Sequence, residues 1–133
     1  MSTETVQRHM TVAPVVIGSD RTLDEARRLM RERGIRHLPV VDAGALVGLV
    51  SQRDLYLAET LRGVDPATDT VREAMIAEPF AVGPEAPLAE VADAMAERRL
   101  GSVVVVDRGS VIGLFTTVDA LRSLARLAGR RRR

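Results

Sequence analysis

The chain of 133 residues is long enough for one globular domain or two half-sized repeats, and its hydrophobic content of 46% supports a packed core. A formal net charge of +1 and an aromatic content of 2% argue against nucleic-acid binding, which uses basic surfaces and aromatic stacking platforms. The chain contains no cysteine and two histidines, which excludes disulfides and thiolate chemistry and leaves little for a multi-histidine metal site.

The N-terminal stretch MSTETVQRHM is polar and lacks the apolar core of a secretory signal. No run of residues approaches the roughly 18 apolar residues that a membrane-spanning helix needs. The sequence therefore predicts a cytoplasmic protein without a membrane partner.

In chain order, the first half begins with a brief apolar strand, predicted at PVVI (14–17). A helix is predicted over TLDEARRLMRER (22–33), because its apolar residues recur every three or four positions. Two strands follow, HLPVVD (37–42) and LVGLVS (46–51), and the Asp-Ala-Gly after the first of them predicts a tight hairpin turn. A closing helix is predicted over about residues 52–62.

The second half repeats the first without a gap at an offset of 65 residues, which is the mark of a tandem duplication. Matching identical residues include Val6/Val71, Met10/Met75, Pro14/Pro79, Met30/Met95, Asp42/Asp107, Gly48/Gly113 and Asp54/Asp119. Residues 5–62 are assigned to repeat 1 and 71–128 to repeat 2, joined by a linker at 63–70. The basic tail at 129–133 is predicted to be disordered, a solubilising end rather than a nucleic-acid contact.

Each copy has the order β-α-β-β-α, so the predicted fold class is α/β (α+β). A copy of about 55 residues buries little core by itself. The two copies are therefore expected to pack against each other with pseudo-twofold symmetry, which would create a pair of clefts between them.

The end of the second hairpin strand carries the same motif in both copies, with Ser51 and Asp54 in GLVSQRDL and Thr116 and Asp119 in GLFTTVDA. One interpretation is a helix capping box, in which the hydroxyl and the carboxylate accept backbone N–H groups at the helix start. The other is a binding site, because a carboxylate has two acceptor oxygens for vicinal ribose hydroxyls and a helix N-terminus favours phosphate. The two roles are compatible.

The repeated combination of IRHLPVVD, the hairpin and GLVSQRDL resembles a CBS domain pair (Bateman module), and especially the stand-alone bacterial CBS domain proteins. The resemblance covers residues 5–128. It implies a regulatory module, not an enzyme, that senses an adenine nucleotide (AMP, ADP or ATP) or S-adenosylmethionine in the cleft between its repeats and requires no cofactor. It also implies a homodimer formed through the CBS modules and an unidentified regulated protein.

By this resemblance, Asp54 with Ser51 and Asp119 with Thr116 would contact ribose and phosphate. The resemblance also assigns Arg36, His37 and Arg53 to the phosphates, where guanidinium groups bind oxygens bidentately. The remaining site residues are Pro39 and Ser102 on the strands and, against adenine, Val15, Val16, Phe80 and Val82, whose alternative role is plain core. For His37 the alternative is a partly buried strand-edge imidazole.

Repeat 2 departs from this pattern, because Gly101, Ser102 and Val118 occupy the positions of the three basic residues. The Asp54 site is therefore expected to be the phosphate-bearing one. The Asp119 site would take a less charged ligand or none, unless Arg36 reaches across from the other repeat.

No nucleophile–base pair, P-loop or metal-ligand pattern occurs in the sequence, so no catalytic machinery is predicted. The alternative to ligand sensing is a ligand-free homodimeric interaction or stress-response protein. In that case the two motif aspartates would serve only as helix caps.

Overall fold

The structure, a computed structural model, describes residues 4–130 and has a mixed α+β fold. The residues group into two compact units. The first-repeat unit comprises residues 14–79, and the second-repeat unit combines residues 4–13 with 80–130. The segment that begins repeat 1 thus belongs to the second-repeat unit, and the segment that begins repeat 2 belongs to the first-repeat unit.

The strands are β1 (Thr11–Val12), β2 (Ile17–Gly18), β3 (His37–Asp42), β4 (Ala45–Ser51), β5 (Ile76–Ala77), β6 (Ala81–Val82), β7 (Ser102–Asp107) and β8 (Ser110–Thr116). The helices are α1 (Leu23–Arg33), α2 (Gln52–Glu59), α3 (Val71–Ala74), α4 (Leu88–Arg98) and α5 (Thr117–Arg130). No helix of the described segment, residues 4–130, is long and apolar enough to cross a membrane.

In the first-repeat unit, β3 pairs in parallel with β2 and antiparallel with β4, and β5 adds to the other side of β4. The predicted hairpin turn is confirmed: Ala43 and Gly44 both have positive φ, 50° and 82°, as a type I′ turn requires. Helix α1 begins at a complete capping box between Thr22 and Glu25 and ends at Gly34, whose left-handed conformation favours glycine.

The second-repeat unit has the same plan: β7 pairs in parallel with β6 and antiparallel with β8, and β1 adds to the other side of β8. Helix α5 continues through Gly129 and Arg130, where the sequence suggested a disordered tail. Residues 131–133, the rest of that tail, lie outside the described residues. Helix α2 is shorter than predicted and ends at Glu59, because the chain turns at Thr60.

Each unit has its own apolar core. The first contains the buried residues Ile17, Leu23, Ala26, Met30, Leu38, Val40, Val50, Leu55 and Val71. The second contains Val6, Leu88, Val91, Met95, Val103, Val105 and Phe115. Val71 and Val6 are fully buried, so the exchanged segments are integral to the cores that they join.

The glycine that opens each motif makes room for a methionine of the exchanged segment. A Cβ at Gly48 would overlap the Met75 side chain, and a Cβ at Gly113 would overlap Met10. Glycine lacks that atom, so the methionine can lie against the strand backbone. This packing fixes the second hairpin strand of each unit, and with it the position of the motif that follows.

Candidate functional site

In the first-repeat unit, the motif lies where β4 ends and α2 begins. The Ser51 hydroxyl accepts from the Asp54 backbone N–H at 3.1 Å, and the Asp54 Oδ2 accepts from the Ser51 N–H at 2.8 Å. The capping interpretation is therefore confirmed. Among residues 4–130, no group donates a hydrogen bond to the other oxygen of Asp54, Oδ1, which leaves that acceptor available.

Strand pairing places the basic pair of β3 beside this motif. His37 lies opposite Ser51 in the antiparallel register, and the Gln52 N–H donates to the Arg36 carbonyl at 2.8 Å. Arg36 and Arg53 are exposed, whereas His37 and Asp54 are partly buried. One carboxylate, one imidazole and two guanidinium groups thus come from neighbouring backbone positions.

The environment of His37 favours its neutral form. Burial lowers the pKa of the imidazole below its ordinary value of 6.5. The Asp54 carboxylate opposes that effect and the Arg36 guanidinium adds to it. An anion bound here would favour the charged form, so His37 is suited to take up a proton together with a phosphate.

We expect acidification to destabilise the protein through His37. The pKa of His37 is lower in the folded protein than in the unfolded chain, so the unfolded chain binds the proton more tightly. The neutral imidazole therefore stabilises the folded state fully above pH 6.5, and this stabilisation is lost as the pH falls through the folded pKa. Urea unfolding between about pH 7.5 and pH 5.5 measures this slope. His37→Gln should flatten it, and an identical slope in the variant would contradict the assignment.

The second-repeat motif is built differently. Thr116 and Asp119 exchange capping hydrogen bonds of 2.9 and 3.2 Å, but the Thr11 hydroxyl also approaches both carboxylate oxygens at 3.2 Å. Asp119 is only 7% exposed. A ribose would have to displace Thr11 to reach this carboxylate.

The position of His37 is taken in this unit by Ser102, which is buried and whose hydroxyl has no hydrogen-bond partner among the described residues. The neighbouring Gly101 carbonyl accepts from the Thr117 N–H at 3.0 Å, matching the backbone contact of the first unit. The backbone arrangement is therefore kept while the charged side chains are lost.

The apolar residues expected against adenine lie at the edges of the two cores. Val15 packs on the first core and Val16 is exposed, while Pro39 is buried in β3. Phe80 and Val82 pack on the second core, and the Arg98 guanidinium lies 4.3 Å from the Phe80 ring centroid. Most of the residues expected against adenine therefore pack on an apolar core, which is their alternative role.

A surface pocket of about 900 Å³ lies beside the first motif. It is lined by Arg27, Met30, Arg31, Gly34, Ile35, Arg36, Gln52, Arg53, Leu55, Tyr56 and Glu59. Neither Asp54 nor His37 lines it, although the residues on both sides of Asp54 do. The sequence did not single out Arg27, Arg31, Tyr56 or Glu59, which look like ordinary polar-face residues of α1 and α2.

The chain is similar to proteins that contain CBS domains. The sequence model of the CBS domain matches residues 6–59 and 71–126. An inosine-5′-monophosphate dehydrogenase from Korarchaeum cryptofilum is 38% identical over 106 residues, which are 79% of this chain and 21% of that enzyme. The chain thus spans about a fifth of this relative's length.

Solved structures extend the similarity over the whole fold. AcuB of Vibrio cholerae has a TM-score of 0.89 and 31% identity over 98% of this chain and 97% of its own. CBSX2 of Arabidopsis thaliana, in complex with AMP, has a TM-score of 0.83 and 27% identity over 93% of this chain and 98% of its own. The chain belongs to the CBS domain family and carries two CBS domains in tandem.

Proposed function

We propose that this protein is a non-catalytic regulatory module that binds an adenine nucleotide or related adenosyl ligand at the first-repeat motif. The observation that carries the proposal is the grouping of Asp54, with one free acceptor oxygen, beside His37, Arg36 and Arg53. A carboxylate next to cationic groups matches a ribose next to a phosphate. CBSX2, a similar CBS pair, is known in complex with AMP.

The two roles of the motif are compatible in this geometry. Asp54 Oδ2 is engaged by the Ser51 N–H, so Oδ1 would accept from a ribose hydroxyl without breaking the helix cap. Arg36 and Arg53 are exposed and free to reach phosphate oxygens. Ligand binding would therefore add contacts to a site that is already ordered.

The second-repeat motif is proposed to take no phosphate. The Thr11 hydroxyl already approaches both carboxylate oxygens of Asp119. No positive charge is supplied at the positions of the three basic residues, which are Gly101, Ser102 and Val118. Regulation would follow if the first-site ligand binds one arrangement of the protein more tightly than another, since only such a difference can shift a conformational equilibrium.

Thermal unfolding with a ligand panel tests the proposed function. The panel comprises AMP, ADP, ATP, S-adenosylmethionine, NADH and a cyclic dinucleotide. A ligand present at about 100 times its Kd should raise the free energy of unfolding by roughly 2.7 kcal/mol, which is a rise of several degrees in Tm for a chain of this size. A flat response to every compound would refute adenosyl-ligand binding.

A second candidate function is a homodimeric interaction protein that binds no nucleotide. It is favoured by the outer face of α5, where Val118, Leu121 and Leu124 are 55%, 60% and 63% exposed. Their spacing of three residues aligns them on one side of the helix. An apolar stripe of this kind on a surface helix is typical of an interface.

We expect the protein to form a homodimer through this α5 stripe, whether or not it binds a nucleotide. Leu121→Arg should shift the sedimentation coefficient to that of a monomer, because a guanidinium would be buried unpaired in the interface. Arg126→Ala, on a different face of the same helix, is the matched control and should remain dimeric. A wild-type protein that sediments as a monomer at all concentrations would contradict this prediction.

A further inference from the structure

The pocket beside the first motif carries an excess of positive charge. Four arginines line it, Arg27, Arg31, Arg36 and Arg53, against a single carboxylate, Glu59. Arg27 forms an ion pair with Glu59, which links α1 to α2. Within residues 4–130, the other three arginines form no salt bridge with a carboxylate, so the pocket wall holds three uncompensated cationic groups.

Repeat 2 has much less of this charge, because Arg99, which aligns with Gly34, is the only arginine at the positions that correspond to the pocket lining. At the offset of 65 residues, the four arginines correspond to Ala92, Ala96, Gly101 and Val118. Outside the pocket, Arg33 has an arginine counterpart in Arg98, whereas there is none for Arg8, Arg21, Arg28 and Arg62. The aligned positions of repeat 2 thus keep none of the four pocket arginines, although most of the other arginines of repeat 1 are not kept either.

The face of α2 that lines the pocket also differs in polarity from the corresponding face of α5. Arg53, Tyr56 and Glu59 line the pocket, and their counterparts on α5 are the stripe residues Val118, Leu121 and Leu124. Tyr56 is 73% exposed at the pocket and is the only tyrosine in the chain. One copy of this helix face is therefore polar, while the other is apolar.

We propose that the pocket binds a polyphosphate chain, so that the first-repeat site selects nucleoside di- and triphosphates over monophosphates. This inference rests on the proposed function and names its ligand class. Asp54 and His37 lie outside the pocket and hold the ribose and the first phosphate, while Arg36 and Arg53 border both regions. Arg31, on the last turn of α1, is the specificity-determining residue that contacts the phosphates beyond the first.

The charge of the ligand agrees with this assignment. Three uncompensated guanidinium groups match the three or four negative charges of free ADP or ATP better than the two of AMP. Arginine binds phosphate oxygens through bidentate, charge-assisted hydrogen bonds. The pocket volume of about 900 Å³ is within the size range of small-molecule sites.

Isothermal titration of the full chain with AMP, ADP and ATP, without Mg²⁺ so that the ligands differ only in phosphate number, tests the inference. ATP should bind at least about tenfold more tightly than AMP, the lower end of what one added charged hydrogen bond contributes. Arg31→Ala, which introduces the residue found in repeat 2, should remove most of that advantage and change AMP binding much less. Arg28→Ala, on the same helix but outside the pocket, is the matched control and should behave as the wild type.

The possible outcomes separate this inference from the proposed function. If AMP binds as tightly as ATP, or if Arg31→Ala weakens both equally, the polyphosphate subsite is refuted while adenine-nucleotide binding stands. If Arg31→Ala alters sedimentation but not nucleotide affinity, the arginines face a second copy of the chain and the inference falls. If no nucleotide binds, the proposed function itself is refuted.

Discussion

Asp54→Asn is expected to reduce sharply the stabilisation of the protein by an adenine nucleotide while leaving the fold intact. The asparagine amide oxygen can still accept from the Ser51 N–H, so the cap of α2 is preserved. The charge that strengthens hydrogen bonds from ribose hydroxyls is lost, and such bonds contribute about 1.5–3 kcal/mol each. Affinity should therefore fall by roughly tenfold or more, measured as the Tm shift at fixed nucleotide concentration.

Asp119→Asn is the matched control for this experiment. It makes the same chemical change at the duplicated position, where the Thr11 hydroxyl already engages the carboxylate. We expect the nucleotide-dependent rise in Tm to survive. If instead Asp119→Asn reduces the response sharply and Asp54→Asn does not, the site has been assigned to the wrong repeat.

In the absence of ligand, substitution of Asp119 should lower the free energy of unfolding more than substitution of Asp54. Asp119→Ala removes a buried carboxylate and leaves the Thr116 N–H without its acceptor, at a cost of roughly 2–3 kcal/mol. Asp54→Ala removes half of a partly exposed capping box, at about 1 kcal/mol. Denaturant unfolding of the two variants measures the difference directly.

Thr11 provides a further test of this ranking. Thr11→Val removes the hydroxyl that approaches Asp119, and it should lower stability in the wild type but much less in Asp119→Ala, because the two residues act as one pair. If the effects of Thr11→Val and Asp119→Ala on the free energy of unfolding are additive, the two side chains do not interact. If Asp54→Ala is less stable than Asp119→Ala, the Asp119 carboxylate is not the more important of the two for the fold.

Local patterns predicted most of the fold. The gapless offset identified the duplication, and the Asp-Ala-Gly sequence identified a hairpin whose turn residues have positive φ. The division into compact units was harder to foresee. Val6 and Val71 are equally apolar, and nothing local in the sequence tells which core each of them joins.

The grouping of the candidate site residues was predictable where neighbouring backbone positions create it. Arg36, His37, Ser51 and Asp54 come together through one hairpin register, which the sequence pattern specifies. The contact from Thr11 to Asp119 joins positions 108 residues apart, and the aligned residue in repeat 2 is Ile76, so the repeat offered no signal. Arg31 was recognisable only from the pocket that it lines in the structure, since its spacing on α1 is that of any polar-face residue.

The number of nucleotides bound per chain distinguishes one functional motif from two. Calorimetric titration of the wild-type chain with ATP should saturate at one nucleotide per chain, because the first-repeat motif alone combines a free carboxylate oxygen with uncompensated arginines. Saturation at two equivalent nucleotides per chain would contradict the proposed difference between the repeats. The absence of any binding heat at every temperature tested, together with an unchanged Tm, would contradict nucleotide sensing altogether.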